Sequence, residues 1–477
     1  MLLAKTISHP IRVLLLSISA LFLAAGVSSA SDSWRDADKI INGIVVPSFK
    51  NQDFIITKYG AVGDGVTDCS RAIRNAIDAC HQAGGGRVVV PAGKYHTGPI
   101  YIKSNVNLHL QEGAVLAFST NPDDYLPLVH TRWEGVDVMN YSPLVYAYKE
   151  KNIAVTGKGK LDGCASNANW WTWKGSKRFG WKAGMPNQTE AGNRPALFKM
   201  AQNGVPVSER KFGAGHYLRP SFVQPYLCEN VLLEDFAITN APMWIIHPVL
   251  CDNIIIRRLN IDSKGPNTDG CDPESCRNVL IEDCVFSTGD DCIALKSGRN
   301  EDGRRIGRPV ENVVVRNCTM KAGHGGFVVG SEISGGARKI FMENCRMDSP
   351  DLTRAVRIKT NSARGGVIEN VYMRNITVGR VSETLLKINL LYEDGEGHGH
   401  PPVVKNIVLE NVTCKSTRFP VFLLGSKDSK ISGIRLKNVV VENAKEASVI
   451  RNVSGMSMED VSFQTSRKVD VWGTVIN

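Results

Sequence analysis

One short pattern of apolar and polar positions recurs along the second half of the chain. A polar residue is followed by two or three apolar positions, and Asn or Asp stands five residues after the start. The copies read NVLLED from 230, NVLIED from 278, NVVVRN from 312, KIFMEN from 339, NVYMRN from 370, NIVLEN from 406, GIRLKN from 433 and GMSMED from 455, with a looser NIIIRRLNI from 253, at intervals of 22 to 36 residues. Each copy predicts a strand too short to bury its own apolar face, so we expect the copies to stack about 4.8 Å apart.

This stacking predicts an all-β chain folded as a parallel β-helix. Less regular copies, NVNLHLQEGAVLAF from 106 and NIAVTGKGKLDG from 152, extend the solenoid toward the N-terminus. Leucine-rich repeats are an alternative solenoid, but they need a leucine framework at a tighter period of about 20–29 residues. A β-sandwich gives no reason for one repeating phase.

Two segments depart from the strand pattern. Between Thr67 and Gly86 the apolar residues fall on one helical face, with Thr67 or Asp68 suited to cap the start and Gly84 to Gly86 suited to end the helix. We predict an amphipathic helix near 68–82 that caps the N-terminal end of the solenoid. The segment 163–226 contains NWWTWKGSKRFGW and predicts a long aromatic-rich loop over one face.

Residues 1–30 have the composition of a signal peptide. Lys5 and Arg12 accompany the apolar run VLLLSISALFLAAG, and the small residues VSSA end at Ala30. A membrane anchor is the alternative, but the apolar run is shorter than the ~20 residues that a span needs. We therefore expect one β-helix domain at 31–477 that is secreted or periplasmic, with no stable membrane association after signal cleavage.

Composition and charge narrow the class of partner. The chain has 477 residues, of which 43% are hydrophobic, and its 44 glycines suit a turn-rich β protein. Its formal net charge is +10, and removal of Lys5 and Arg12 with the signal leaves +8. An exported basic protein favours an acidic polymer. Nucleic acid is not expected outside the cell, and a merely soluble basic surface is the other interpretation.

The twelve cysteines have two possible states. Export permits disulfides, and the pairs Cys69–Cys80 and Cys271–Cys276 are candidates. Cys284, Cys318 and Cys345 instead recur at one phase of the repeat, which predicts a stack of small buried thiols.

Solenoid geometry converts sequence phase into proximity. Four consecutive copies carry ionisable residues at similar phase: Asp269, then Asp290 with Asp291, then His324, then Arg357 with Lys359. Crowded carboxylates differ in pKa, which leaves a protonated donor beside an ionised partner, as glycosidic hydrolysis requires. The two cations favour an anionic sugar. Taken alone, the aspartate pair also fits a turn or a calcium site, and GHG fits a glycine turn with a surface histidine.

These motifs resemble the signatures of the pectin-degrading polygalacturonases of glycoside hydrolase family 28. The four are Asn267-Thr268-Asp269, Asp290-Asp291, Gly323-His324-Gly325 and Arg357-Ile358-Lys359, and none departs from the family pattern. The opening YGAVGDGVTD also fits, although other β-helix proteins share it. The resemblance covers most of the chain after the signal and implies a right-handed parallel β-helix.

The resemblance also implies a reaction, the hydrolysis of α-1,4 links between galacturonate units with inversion. It assigns the general acid to Asp290, water activation to Asp269 and Asp291, tuning of the acid to His324, and substrate binding to Asn267, Arg357 and Lys359. For an inverting enzyme we expect the acid and the water-activating groups to lie about 6.5–9.5 Å apart. No metal or cofactor is implied. We expect a monomer that binds polygalacturonate or pectin.

Some stretches resemble exo-acting bacterial members more closely, namely GDDCIALKSGRNEDGRRIG and GGFVVGSEISGG. The segment 163–226 is suited to close one end of the groove, its tryptophans stacking on sugars and its cations holding a terminal carboxylate: Trp170, Trp171, Trp173, Lys177, Arg178 and Trp181. We therefore predict attack from the non-reducing end. The alternative is a loop that only covers apolar barrel surface.

Three other functions are compatible with parts of this pattern. Rhamnogalacturonan and xylogalacturonan hydrolases share the fold and some of the motifs. A β-helical pectate lyase would use the acids for calcium but leaves the GHG and RIK motifs unexplained. A non-catalytic polysaccharide-binding β-helix has no need of three converging aspartates.

Overall fold

The computed structural model describes residues 30–465, so the predicted signal peptide lies outside it apart from Ala30. Within these residues the α-helices are α1 (Ala30–Gly43), α2 (Ser70–Gln82), α3 (Arg194–Gln202) and α4 (Asn300–Ile306). Short 3-10 helices span Ile56–Tyr59, Pro122–Tyr125, Trp170–Lys174, Lys177–Phe179 and Val207–Glu209. None of the helices in this range has the length and hydropathy of a membrane span.

Strands make up most of the regular structure. The first are β1 (Asp53–Ile55), β2 (Asp64–Asp68), β3 (Gly86–Val90), β4 (Gly93–Thr97), β5 (Ile100–Tyr101), β6 (Val106–Leu110), β7 (Ala114–Phe118), β8 (Val129–Trp133), β9 (Val136–Asn140), β10 (Val145–Tyr148), β11 (Lys151–Thr156) and β12 (Lys160–Asp162). Then come β13 (Lys211–Phe212), β14 (Val223–Tyr226), β15 (Glu229–Glu234), β16 (Ala237–Thr239), β17 (Asp252–Arg257), β18 (Asn260–Ser263), β19 (Arg277–Glu282), β20 (Val285–Thr288), β21 (Ile293–Leu295), β22 (Val310–Arg316), β23 (Thr319–Ala322) and β24 (Phe327–Gly330). The last are β25 (Ala337–Glu343), β26 (Arg346–Met347), β27 (Arg354–Lys359), β28 (Val367–Arg380), β29 (Thr384–Asn389), β30 (Val403–Ser416), β31 (Phe419–Leu424), β32 (Ile431–Ala444), β33 (Val449–Arg451), β34 (Val453–Ser454) and β35 (Ser457–Thr465).

The strands wind into a right-handed parallel β-helix, as predicted. Each strand of the repeat pairs in parallel with the corresponding strand of the next coil, and the first apolar position of every copy stays in register: Ile153, Val231, Ile254, Val279, Val313, Ile340, Val371, Ile407 and Ile434. These positions are buried in one continuous core. In the described part of the chain, the hairpin β8–β9 is the antiparallel pair.

The asparagine that opens most copies forms a ladder along one edge of the solenoid, and Lys339, Gly433 and Gly455 stand at this position in the others. Asn230, Asn253 and Asn278 have φ of 58°, 59° and 57°, in the left-handed region that asparagine tolerates better than most residues. Each side-chain amide donates to the asparagine of the preceding coil, at 3.1 Å from Asn253 to Asn230 and 3.2 Å from Asn278 to Asn253. The repeated Asn therefore turns the chain and joins neighbouring coils.

The predicted thiol stack is confirmed and the candidate disulfides are wrong. Cys284, Cys318 and Cys345 are buried at the same turn of successive coils. All twelve cysteines are unpaired, including both candidate pairs, Cys69 with Cys80 and Cys271 with Cys276.

The capping helix is also confirmed, because α2 covers residues 70–82 of the predicted 68–82. Its apolar residues Ile73 and Ile77 are buried against the first coils. Asp68 accepts a hydrogen bond from the backbone amide of Ser70 at 2.9 Å, so its carboxylate serves the helix start. The helix closes the N-terminal end of the apolar core.

Three features of the fold were not predicted. Helix α1 packs its Trp34 and Ala37, followed by Ile44 just after the helix, on the outer face of the solenoid, against Leu232 and Ile255 among others. The hairpin β8–β9 covers another face. The irregular segment ends earlier than predicted, because β14 is a regular strand that pairs in parallel with β10.

Candidate active site

Asp269 and Asp290 line a cleft with a volume of about 620 Å³, and Asp291 is fully buried beside them. Asp269 belongs to one coil and the pair Asp290 and Asp291 to the next, where Gly270 N donates to Asp291 O at 2.9 Å. One carboxylate oxygen from each acid lies within 4.8 Å of the other two. Asp290 and Asp291 are 21 and 22 positions after Asp269 in the sequence, and the common phase of the repeat places them close to it.

This spacing is shorter than predicted. The expectation of 6.5–9.5 Å came from the usual geometry of inverting glycosidases. Here the acids stand on adjacent coils, and adjacent strands of a sheet are about 4.7–4.9 Å apart. Because the solenoid sets this distance, the prediction of a wide separation is wrong for the nearest carboxylate oxygens.

The turns that carry the acids are locked to each other by small residues of the motifs. Thr268 Oγ1 lies 2.8 Å from the carbonyl oxygens of Ser263 and Gly265 and accepts a hydrogen bond from Gly289 N at 3.1 Å. A Cβ atom at Gly289 would lie 2.1 Å from Gly265 O, so only glycine fits between the coils. Gly323 has φ of 151°, and a Cβ there would lie 2.4 Å from Asp290 O.

His324 is the nearest partner of Asp290. Its Nδ1 lies 3.0 Å from Asp290 Oδ1, which also accepts from Asp291 N at 3.0 Å. Burial raises the pKa of Asp290, but the hydrogen bond to His324 and the charges of His324 and Lys359 lower it further, so the net shift is downward. The same hydrogen bond raises the pKa of His324 above 6.5. The proton of this pair therefore resides on His324 in the free cleft.

Asp269 has the opposite shift. Its side chain is buried, and burial together with the charges of Asp290 and Asp272 raises its pKa well above the ordinary value. The cation nearest to its carboxylate is Lys296, with Nζ 3.8 Å from Oδ2. The pKa of Asp269 is thus shifted upward and that of Asp290 downward in the free cleft, whereas the family resemblance assigns the general acid to Asp290.

Asp291 is neutralised by the cations of the RIK motif. Lys359 Nζ lies 2.7 Å from Asp291 Oδ2, and Arg357 Nη1 lies 3.7 Å from Oδ1. Both cations also lie over the ring of Tyr392, at 5.2 Å for Arg357 and 5.4 Å for Lys359. The RIK cations are therefore positioned beside the acids, three coils beyond Asp269 and two beyond Asp290 and Asp291.

The oxygen atoms of the three acids are close enough to ligate one cation. Lys359 and His324 already contact Asp291 and Asp290, and they would compete with a metal ion for the same oxygens.

Comparisons with known proteins agree with this geometry. The model of "Glycosyl hydrolases family 28" matches residues 209–462, more than half of the chain and all of the motif residues. The chain belongs to glycoside hydrolase family 28. A second model, "Rhamnogalacturonase A/epimerase, pectate lyase-like", matches residues 54–109, outside the cleft.

The relatives of this family 28 chain include bacterial and plant proteins. An exopolygalacturonase structure from Thermotoga maritima is 45% identical, covers 90% of this chain and 95% of its own, and has a TM-score of 0.87. An exo-poly-alpha-D-galacturonosidase of Dickeya chrysanthemi is 26% identical over 86% of this chain and 71% of its own. A probable polygalacturonase of Vitis vinifera is 27% identical over 82% of this chain and 74% of its own. The chain is therefore a glycosidase.

Several residues that line the cleft of this family 28 enzyme were missed from sequence. They are Glu134, Lys174, Gln188, Thr189, Arg194, Trp244, Lys296, Ser331, Glu332, Thr353, Arg354, Tyr392 and Glu393. Lys296 was detectable, because it stands eighteen residues after the copy start at 278, as Arg357 does after 339. Its Nζ lies 3.1 Å from Glu332 Oε2 and 4.4 Å from the ring centroid of Trp244.

The segment 163–226 does reach the cleft, but not with the predicted residues. Lys174, Gln188, Thr189 and Arg194 line it, whereas none of the six residues predicted for sugar stacking and carboxylate binding does. Trp170 is instead buried against Tyr125, with ring centroids 5.6 Å apart. Trp170 and Trp171 anchor the segment on the barrel, as the alternative interpretation proposed, and the cations of the segment that line the cleft are Lys174 and Arg194.

The side-chain oxygen of Asn267, in the first motif, is held by two cations. Its Oδ1 accepts hydrogen bonds from Lys174 Nζ and from Arg219 Nη2, both at 2.9 Å. Because both donors occupy the oxygen, the Nδ2 group is left to donate. Asn267 itself has φ of 54°, which places it at a turn beside Asp269.

Proposed function

We propose that this enzyme hydrolyses α-1,4 links between galacturonate units of polygalacturonate, releasing products from the non-reducing end. The observation that carries the proposal is the convergence of three carboxylates from adjacent coils with the cations of Arg357 and Lys359 in one cleft. Carboxylic acids supply the proton transfers of glycoside hydrolysis, and the cations bind the substrate carboxylate.

The proposed chemistry assigns one role to each acid. Asp290 protonates the glycosidic oxygen, and its proton comes from His324 across their 3.0 Å hydrogen bond. An incoming galacturonate carboxylate adds negative charge, which raises the pKa of Asp290 and favours this transfer. Asp269 and Asp291 hold and deprotonate the attacking water. Lys296, with Nζ 3.8 Å from Asp269 Oδ2, favours the ionised form of Asp269 that can accept a proton from the water.

Exo attack is supported by the closure of one end of the groove. The hairpin β8–β9 lies along the sheet face on both sides of Asp269, since it contacts Gln224 in a preceding coil and accepts a hydrogen bond at Gly135 O from Arg299 N, in a following coil, at 2.9 Å. Thr131 donates to Gln224, Gln224 Nε2 donates to Arg132 O at 3.1 Å, and Arg132 Nη1 lies 3.2 Å from Glu274 Oε1. The hairpin tip contributes Glu134 to the cleft wall, where Arg194 pairs with it at 2.7 Å. We propose that this Glu134–Arg194 pair blocks passage of a polymer at this end of the groove.

The other end of the groove is open along the same sheet face. Arg357, Lys387 and Phe422 occupy successive coils in register, and Lys387 and Phe422 are both partly exposed. The remainder of the polymer extends over these coils, toward the C-terminal end of the solenoid. The exopolygalacturonase from Thermotoga maritima, at 45% identity, supports this mode.

We further propose that the enzyme is exported, acts as a monomer on pectic polysaccharide, and consists of one catalytic domain over residues 31–477. These proposals follow from the signal-like residues 1–30 and from the basic balance of the chain.

The test is the time course of polygalacturonate digestion, followed by viscosity, reducing ends and chromatography of products. Exo hydrolysis predicts early mono- or digalacturonate with a slow fall in viscosity. A rapid fall with a ladder of oligomers would show endo attack. Unsaturated products that disappear with a chelator would show a lyase, and activity restricted to rhamnogalacturonan or xylogalacturonan would overturn the substrate.

A further inference from the structure

Lys174 enters the cleft from a well-anchored position in the insertion. It ends the 3-10 helix Trp170–Lys174, whose Trp170 is buried and whose Trp171 Nε1 donates to Ala241 O at 2.9 Å. Gly175 follows with φ of 77° and turns the chain away. The lysine ammonium is thereby held 2.9 Å from Asn267 Oδ1, a group two residues before Asp269.

Lys174 differs from the other cations of the cleft in its distance from the nearest carboxylate. Each of the others has a carboxylate within 4.0 Å: Arg194 with Glu134, Lys296 with Glu332, Arg354 with Glu383, and Arg357 and Lys359 with Asp291. Among the described residues no carboxylate lies within that distance of Lys174. Glu134 and Asp290 act on it only from farther away, and burial lowers its pKa.

A second uncompensated cation stands behind it. The Arg219 side chain is fully buried and donates to neutral oxygens, those of Pro242, Pro266, Gln188 and Asn267. Burial lowers the pKa of Arg219 to about 10. Burial of two positive charges beside one amide oxygen lowers the stability of the protein unless an anion binds to them.

The position of this charge relative to the acids indicates which anion it meets. Arg357 and Lys359 lie three coils beyond Asp269, toward the open end of the groove, whereas Lys174 lies at Asn267, beside the hairpin. The acids stand between the two groups of cations. A galacturonate bound between the acids and the wall is the last unit of the chain.

We propose that Lys174, supported by Arg219, binds the carboxylate of the non-reducing terminal galacturonate, the unit that the enzyme releases. The inference rests on the proposed exo-hydrolysis and adds the residue that recognises the terminal unit. Asn267 joins the two cations and donates its Nδ2 to the same sugar. The site is separate from the Arg357–Lys359 pair, which serves a unit on the other side of the cleaved bond.

The test compares two substrates and two variants. The substrates are trigalacturonate and the same trisaccharide methyl-esterified only on its non-reducing terminal carboxylate. Wild-type enzyme should prefer the free acid in kcat/KM by about tenfold to a hundredfold, the range of one charge-assisted hydrogen bond. Lys174→Met should lose most of this preference. Lys174→Gln, which keeps a donor toward Asn267 but no charge, should lose it as well.

Lys177→Met is the matched control, because Lys177 is an exposed lysine of the same insertion that does not line the cleft. It should behave as wild type. If Lys174→Gln retains the wild-type preference, the lysine only orients Asn267 and the proposal is wrong. If both Lys174 variants retain it, the terminal carboxylate is bound elsewhere. Absence of hydrolysis of trigalacturonate by the wild type would instead overturn the proposed function itself.

Discussion

Two faces of the same solenoid use the same coil spacing for opposite purposes. On the outer face of the repeat strands, the side chain at the fifth position of each copy alternates between negative and positive charge from coil to coil. These residues are Glu234, Arg257, Glu282, Arg316, Glu343, Arg374, Glu410, Lys437 and Glu459. On the cleft face, like charges occupy adjacent coils. The stacking distance is common to both, so the order of charges along the stack decides whether a face is stabilised or reactive.

Several neighbouring charges on the alternating face form ion pairs. Arg316 contacts Glu282 at 2.6 Å, and Arg374 contacts Glu343 at 2.6 Å. Partly exposed pairs of this kind each contribute about 0–1 kcal/mol to the free energy of unfolding. Their effect is to favour one register between neighbouring coils.

The cleft face leaves charges and polar atoms unsatisfied. Asp269 Oδ1, Asp291 Oδ1 and both carboxylate oxygens of Asp272 are buried without a hydrogen-bond partner among the described residues. Such groups cost stability unless a ligand or water meets them. The contrast locates the chemistry on this face and gives the following predictions.

The largest effect is expected from Asp290→Asn. The change removes the proposed acid while keeping its shape, so kcat on polygalacturonate should fall by about three orders of magnitude, within the range of general acid catalysis. Thermal unfolding should be unchanged within error. Asp283→Asn is the control, because Asp283 lies in an exposed turn of the same coil at a position where other coils carry Asn. An Asp290 variant with a tenth of the wild-type rate would refute the assignment.

The next effect concerns His324 and pH. Hydrogen bonding to Asp290 raises the pKa of His324, so the imidazole stays protonated below that raised value and loses its proton as the pH rises through it. The rate of the wild type should therefore fall on the alkaline side at a pH above 6.5. His324→Gln should reduce kcat by about a hundredfold and shift the pH at which the rate falls on the alkaline side. If the alkaline fall in rate stays at the same pH in this variant, His324 is excluded as the proton source.

A smaller effect is expected from Lys359→Ala. The loss of a charge-assisted contact of about 1.5–3 kcal/mol should raise KM for polygalacturonate by tenfold or more. The penalty should shrink on methyl-esterified pectin, whose carboxyl groups carry no charge. Because Lys359 also contacts Asp291 at 2.7 Å, an equal penalty on both substrates would show that its role is to hold that acid.

The smallest effect is expected on the alternating face. Arg316→Gln removes a partner of Glu282 and should lower the free energy of unfolding by no more than about 1 kcal/mol, with kcat and KM unchanged. Chemical denaturation measures the first quantity and steady-state assays the second. A loss of activity in this variant would show that the alternating face contributes to catalysis, against the distinction drawn between the two faces.

How much could be predicted from sequence differs between the repeats and the insertions. The coils and the grouping of Asp269, Asp290, Asp291 and His324 follow from periodicity, because the copies repeat one order of polar and apolar positions. The alternating charges were equally visible in the copies. The insertion 163–226 has no period, so its path depends on local contacts such as Trp170 against Tyr125.

The same limit explains the residues that were missed. Lys174 and the neighbouring Lys177 are indistinguishable by composition, and only the fold of the 3-10 helix separates the one in the cleft from the one in solvent. Glu134 required knowledge of the hairpin β8–β9. The spacing of the acids was predicted from the behaviour of glycosidases in general, and the solenoid overrides it with its own coil distance.

The central claim is that this closely spaced group of acids hydrolyses the α-linkage by direct attack of water. Proton NMR of the first product released from polygalacturonate, recorded before the anomers equilibrate, tests it most directly. The account predicts β-galacturonate or a β-configured digalacturonate as the initial product, although the acid oxygens lie within 4.8 Å of one another. An initial α anomer would contradict it, because retention requires one of the carboxylates to attack the sugar instead of activating water.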